Sequence, residues 1–160
     1  TIIIFALVLI LGIFKELIIL LIAFNLIRLF AFCMHANKSI TCLIFSSLVF
    51  LTGAFLCKYI TISREVLYVL YLMVLVIMIK YAPADTKKRP LLKSNKRLRF
   101  KIISILMTII YFIITILIDN NLIINSLIIG LIIECILILP ITYKAFKMPY
   151  KNYLKYGLST

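Results

Sequence analysis

The chain has 160 residues, 65% of them hydrophobic, and a mean hydropathy of +1.21. A soluble domain carries roughly 45–50% apolar residues, so this composition excludes an ordinary water-soluble fold and predicts an all-α polytopic integral membrane protein. The net charge of +13 does not point to nucleic acid, because the basic residues fall between and after the apolar runs rather than on one soluble face.

Six apolar runs follow in order, about 1–14, 17–34, 42–60, 65–80, 102–118 and 122–139, each expected to be a transmembrane helix. The chain opens on Thr1 inside an apolar run, without an initiator Met, which predicts a missing N-terminal piece. No basic n-region or small-residue cleavage site marks a signal peptide. Lys15-Glu16 is the weakest divider and leaves open one long tilted helix over 1–34. Asp119-Asn120-Asn121 is a turn, Thr61 to Arg64 a second, and Pro140 ends the last run. Tyr59, Tyr68, Tyr81 and Tyr143 fall near span ends, where an interfacial belt explains them.

Between Lys80 and Lys101 lie nine Lys/Arg against one acid, Asp85, which predicts that the loop 81–101 is cytoplasmic. The tail, with Lys144, Lys147, Lys151 and Lys155, is expected on the same side. Counting spans backwards from Lys80 returns residues 35–42 to that side as well.

Residues His35 to Cys42 form the one polar, chemically reactive stretch between long apolar segments, and His35 is the sole histidine. A neutral imidazole is a natural general base near pH 7, and a thiolate is the best side-chain nucleophile. Seven residues of unbroken helix would hold the two groups roughly 10 Å apart, so a His35–Cys42 pair requires the helix to break between them. Ser39, as an N-cap, would start a new helix at Ile40 with Cys42 in its first turn, where free N–H groups favour the thiolate. On the residues alone, a boundary histidine and a packed cysteine remain the simpler reading.

Arg28 lies seven residues before His35, and Glu134 six before Pro140, so both are expected roughly 9–10 Å inside the same boundary. An unpaired charge in hydrocarbon is costly, so the two are expected to pair and dock the last span on the one leading to His35. Snorkelling by Arg28 with a protonated Glu134 is the bland alternative. Cys33, Cys42, Cys57 and Cys135 show no C-x-x-C and no matched spacing, which implies neither a disulfide framework nor a redox motif. Cys57 and Cys135 read as packing residues. His35 with Cys33 and Cys42 gives too few ligands for zinc.

Arg28 with His35-Ala36 and Cys42, then Tyr81-Ala-Pro-Ala-Asp-Thr-Lys-Lys-Arg-Pro90, then Gly130-Leu-Ile-Ile-Glu-Cys-Ile-Leu-Ile-Leu-Pro140, resemble the accessory gene regulator B (AgrB) family. That family consists of bacterial integral-membrane cysteine endopeptidases of peptide quorum sensing. The resemblance implies a multi-pass protein of the bacterial cell membrane with a catalytic His35 and Cys42 facing the cytoplasm and a basic-site arginine at Arg28. It implies cleavage of a small AgrD-like propeptide and cyclisation to a thiolactone through a Cys42 acyl-enzyme. A homodimer in the lipid bilayer is expected from the family and from the thin six-span bundle; no metal or cofactor is implied, and the charge distribution predicts no nucleic-acid partner. Ser39, Asn37 and Glu134 are candidates for a third, orienting group. Lys87, Lys88 and Arg89 are candidates for binding an acidic part of the propeptide, although orientation alone also accounts for them.

One departure is that the family has glycine two residues before the histidine, where this chain has Cys33; the positive-φ residue is lost and a second thiol lies near the imidazole. The family also carries an N-terminal amphipathic segment that handles the precursor. The rival readings are a small transporter or exporter of a peptide, lined by Arg28 and Glu134, and a thiol oxidoreductase using Cys33 and Cys42. The first would keep export without Cys42; the second would need both thiols.

Overall fold

The computed structural model describes residues 8, 11–33, 39–86 and 90–156, and among these the chain forms helices and no strands. Five long helices follow in order: α1 (Phe14–Ala31), α2 (Ser39–Tyr59), α3 (Arg64–Tyr81), α4 (Ser94–Leu117) and α5 (Asn121–Ile138). A short α6 (Pro140–Ala145) and a 3-10 turn (Asn152–Tyr156) form the tail. These account for five of the six expected runs; the first, about 1–14, lies largely outside the described residues. Among the described residues, only α4 and α5 are long and apolar enough to cross a membrane by length and composition, with α2 adding a shorter apolar segment, Leu43–Tyr59. The expectation of six spans thus narrows, among the described residues, to two helices that meet the requirement. Charges thin the case for α1, with Lys15, Glu16 and Arg28, and for α3, with Arg64, Glu65 and Lys80.

The first divider also moves. The chain turns at Leu11-Gly12, where Gly12 takes φ +61° and the Ile13 N–H closes the turn on the Val8 carbonyl at 3.1 Å. Lys15 and Glu16 instead begin α1, where the Glu16 carboxylate complements the positive end of the helix dipole. One continuous helix over 1–34 is therefore excluded. The α5 start is legible: Asn120 accepts from the Leu122 and Ile123 N–H groups at 3.0 and 3.3 Å. Its end is set by Pro140 at the head of α6, where the missing N–H costs nothing.

Helix α5 is apolar on every side, as a helix surrounded by others must be, and it touches all four other long helices. Its closest partner is α1, and Gly130 is the reason. A Cβ there would lie 3.3 Å from the Phe24 backbone nitrogen and 3.5 Å from the Ala23 Cβ, so the missing side chain lets the two backbones approach. Gly130→Val is expected to force them apart and cost about 2–3 kcal/mol. Gly130→Ala is expected to be near neutral, because its gain in helix propensity offsets the tight contact. The thermal midpoint of the purified protein in detergent measures both.

Buried polar groups tie the remaining helices. The Tyr111 hydroxyl donates to the Ala23 carbonyl at 2.8 Å, and the Tyr71 hydroxyl is 2.8 Å from the Thr115 hydroxyl, linking α4 to α1 and to α3. The Asn125 amide donates to the Cys57 and Ile60 carbonyls at 3.1 and 2.6 Å, satisfying the C-terminal end of α2. The outer faces stay apolar: Leu29, Leu48 and Leu72 are each more than 60% exposed, far beyond what water tolerates in a contiguous patch.

Successive helices run up and down, so the ends segregate. At one end lie Lys58 on the Gly12 carbonyl and the exposed Arg64–Asp119 ion pair. At the other end meet the end of α1, the start of α2, the segment after α3, the start of α4 and the tail. Contacts that fix this second end include Phe32 on Phe100 (ring centroids 5.0 Å apart) and Phe45 on Phe146 (5.1 Å). The start of α2, the described parts of the segment between α3 and α4, and the tail thus lie at one end of the bundle.

Candidate active site

The described residues show the helix interrupted ahead of Cys42. Helix α1 ends at Ala31, Phe32 leaves it with φ 51° and ψ 147°, and α2 starts at Ser39. Ser39 is thus the first helical residue rather than the residue before it, a shift of one position, and Cys42 is the fourth residue of α2. The N–H groups of the three residues before it, Ser39, Ile40 and Thr41, lack an intrahelical acceptor. His35 and Asn37 lie outside the described residues, as do Lys87, Lys88 and Arg89.

The absence of glycine before the histidine has a structural answer. Phe32, not residue 33, takes the left-handed conformation, which is rare for a bulky side chain and strained by on the order of 1–3 kcal/mol. Its ring is held by Phe100 and its N–H by the Arg28 carbonyl at 3.1 Å. Cys33 is then free to point inward. It is buried against the Glu134 carboxylate and near the Tyr143 phenol, on the α5 and tail side of the connection.

Arg28 and Glu134 act on each other electrostatically. Yet no contact ion pair joins them; among the described residues the single ion pair is Arg64–Asp119 at the far end. The Arg28 guanidinium instead lies over the Phe24 ring, 5.5 Å from its centroid. Glu134 is fully buried and neither oxygen makes a well-formed hydrogen bond. The docking of α5 on α1 expected from this pair therefore comes mainly from close backbone packing at Gly130. Double-mutant analysis of Arg28→Gln and Glu134→Gln is expected to give a coupling of no more than about 1 kcal/mol, against 3 or more for a contact buried pair. Thermal midpoints of the two single variants and the double variant read it.

Two residues carry more than the sequence reading gave them. Asp85, noted as the lone acid of a basic loop, is 2% exposed. Its carboxylate accepts the Asn152 and Tyr153 backbone N–H groups, each at 2.9 Å, and so docks the tail. Tyr143, expected in an interfacial belt, is 1% exposed and donates to the Asp85 and Ala84 carbonyls at 3.1 and 3.4 Å. Burial first, then the neighbouring Cys33 and Asp85, push its phenol well above the ordinary range, so it remains a donor. The Ala84 N–H closes the set by donating to the Ala31 carbonyl at 2.9 Å. Segment 82–85 therefore clamps the last turn of α1, two residues before Cys33, to the tail. Tyr59 and Tyr68 are exposed near helix ends, as an interfacial belt requires, and Cys57 and Cys135 are buried packing residues.

Chemically, the described part of this end offers a rigid exit from α1, a buried carboxylate and thiol behind it, and a helix start carrying Cys42. The accessory gene regulator B family profile matches residues 1–138. A putative AgrB-like protein of Clostridium acetobutylicum is 37% identical over 145 residues, 91% of this chain and 69% of that protein. Accessory gene regulator protein B of Staphylococcus aureus is 36% identical over 143 residues, 89% of this chain and 75% of that protein. A putative AgrB-like protein of Listeria innocua is 27% identical over 154 residues, covering 96% and 76%. No solved structure matches the chain. With the profile spanning most of the chain, and two of these relatives above one-third identity over two-thirds or more of their lengths, this protein belongs to the accessory gene regulator B family.

Proposed function

We propose that the chain is a multi-pass cysteine endopeptidase of the bacterial cell membrane, active in quorum sensing, that cuts an AgrD-like propeptide and closes it to a thiolactone. The observation that carries this reading is the interruption of the helix between Ala31 and Ser39, which leaves Cys42 in the first turn of a new helix. A continuous helix would have kept residues 35 and 42 too far apart to share a proton. The apolar outer faces and the two helices of spanning length support the bilayer. The cations gathered at the end that holds Cys42 support a cytoplasmic orientation for it.

In this mechanism His35 takes the Cys42 thiol proton and the thiolate attacks the scissile carbonyl. The leaving amine receives that proton, and the N-terminal part of the propeptide remains as a thioester on Cys42. An internal thiol of the propeptide then displaces Cys42, exchanging one thioester for another at little net energy, provided water is excluded. Arg28, Ser39 and Glu134 support the site rather than the chemistry. Lys87, Lys88 and Arg89 attract an acidic part of the substrate.

Co-expression with a cysteine-containing propeptide, followed by mass measurement of cells and medium, tests this. The expected product is lighter than the linear acid by one water. Intact precursor appearing in the medium, with no cleaved form, would favour the exporter reading instead.

A further inference from the structure

Beside the clamp, but separate from Cys42, lies a cleft of about 290 Å³ between the end of α3, the start of α4 and the tail. Lys80, Arg97, Lys101 and Lys151 line it. Asp85 is the one carboxylate among the described residues lining it, and both of its oxygens are already engaged by backbone N–H groups of the tail. Among the described residues, four cations therefore face a space with no free counter-charge. Arg97 is fixed in advance: Nη1 donates to the Leu91 and Leu92 carbonyls at 2.9 Å each, and the guanidinium lies 4.2 Å from the centre of the Tyr153 ring. A guanidinium held by its own backbone and stacked on an aromatic ring presents its remaining N–H groups without further loss of freedom. Ser94, first residue of α4, also lines the cleft, so the free N–H end of that helix adds positive potential.

What surrounds the cleft narrows the anion. Leu98 forms part of its wall and is 58% exposed, and Ile102 and Leu106 continue from it at four-residue steps as exposed apolar side chains. On the α3 side, Ile79, Val76 and Leu72 are exposed in the same way next to Lys80. A cationic pocket opening onto two apolar stripes matches an anion that carries hydrocarbon chains. An acidic peptide made of polar residues alone would gain nothing from the stripes.

We infer that this cleft binds the phosphodiester headgroup of an anionic membrane lipid, with its acyl chains along Leu98, Ile102 and Leu106. The inference rests on the bilayer part of the proposed function and is independent of its chemistry.

The test uses the full chain in detergent, with phosphatidylglycerol and phosphatidylcholine as probes and native mass spectrometry as the readout. Wild-type protein is expected to retain phosphatidylglycerol in preference, and Lys80→Gln/Lys101→Gln to bind it about 30-fold more weakly, one surface cation's worth for each charge removed. Lys101→Arg, which keeps the charge, is expected to keep the preference, as is Lys58→Gln at the opposite end; loss in either would overturn the assignment. Equal retention of the two lipids would also overturn it. Displacement by glycerol 3-phosphate at the same concentration as the lipid would make a free phosphate ester the ligand, and selective displacement by a glutamate-rich peptide would make it an acidic chain; either defeats the lipid. Preference persisting in Cys42→Ala protein supports the cleft whatever the fate of the chemistry. Release of the chain from membranes by alkaline carbonate would end the bilayer reading and this inference together, whereas a retained chain with no lipid preference would end only this one.

Discussion

Cys42→Ala is expected to abolish propeptide cleavage, a fall of about 10³-fold or more, while Cys33→Ala retains most of it. The contrast follows from placement. Cys42 is the fourth residue of a helix whose first N–H groups lack internal acceptors, an environment that favours a thiolate, whereas Cys33 is buried against Glu134. His35→Ala is expected to lower the rate by on the order of 10²–10⁴-fold, the range for removing a general base. Cleavage is read by mass spectrometry of the co-expressed propeptide, and trapping of a thioester on wild-type protein that hydroxylamine releases supplies a second reading. Retained cleavage in Cys42→Ala, with loss in Cys33→Ala, would transfer the nucleophile to the residue before the break. Equal loss in both would instead support a dithiol reaction.

Asp85→Ala is expected to free the tail and cost about 3 kcal/mol, since two backbone N–H groups would lose a charged acceptor at a buried position. Asp85→Asn keeps one acceptor oxygen and is expected to lose about half as much. Trypsin provides the local measure, because Lys147 and Lys151 lie in the segment that Asp85 holds. Faster cutting there in the alanine variant, with the asparagine variant between it and wild type, is the expected order. If Asp85 acted only as a loop charge, the two variants would behave alike. Cleavage activity is expected to fall as well, though less than in Cys42→Ala. The same segment holds the end of α1 through the Ala84 N–H on the Ala31 carbonyl and so sets the direction in which the chain leaves toward residue 35.

These two results would test different layers of one arrangement. The motif Tyr81 to Pro90 carries the family resemblance most specifically, and its described part works as a brace: Ala84 on α1, Asp85 on the tail, Tyr143 on both carbonyls. Its three consecutive cations, Lys87, Lys88 and Arg89, retain the substrate role proposed for them. The brace explains why a bulky Phe32 can adopt a positive φ. Neighbouring contacts on both sides fix the backbone, and the strain is carried by packing with Phe100.

The sequence by itself determined the helical class, five of the helix positions and the turn at Asp119-Asn120-Asn121. These are local or additive properties: run length, capping side chains, proline and summed charge act on the residues that carry them. Only the tertiary structure decided that the first divider is Gly12, that Gly130 rather than an Arg28–Glu134 contact pair seats α5 on α1, and that Asp85 and Tyr143 are buried anchors. An apolar helix with no polar side reads the same whichever face it packs, and a lone acid among lysines reads as solvated until its acceptors meet N–H groups 67 and 68 residues away.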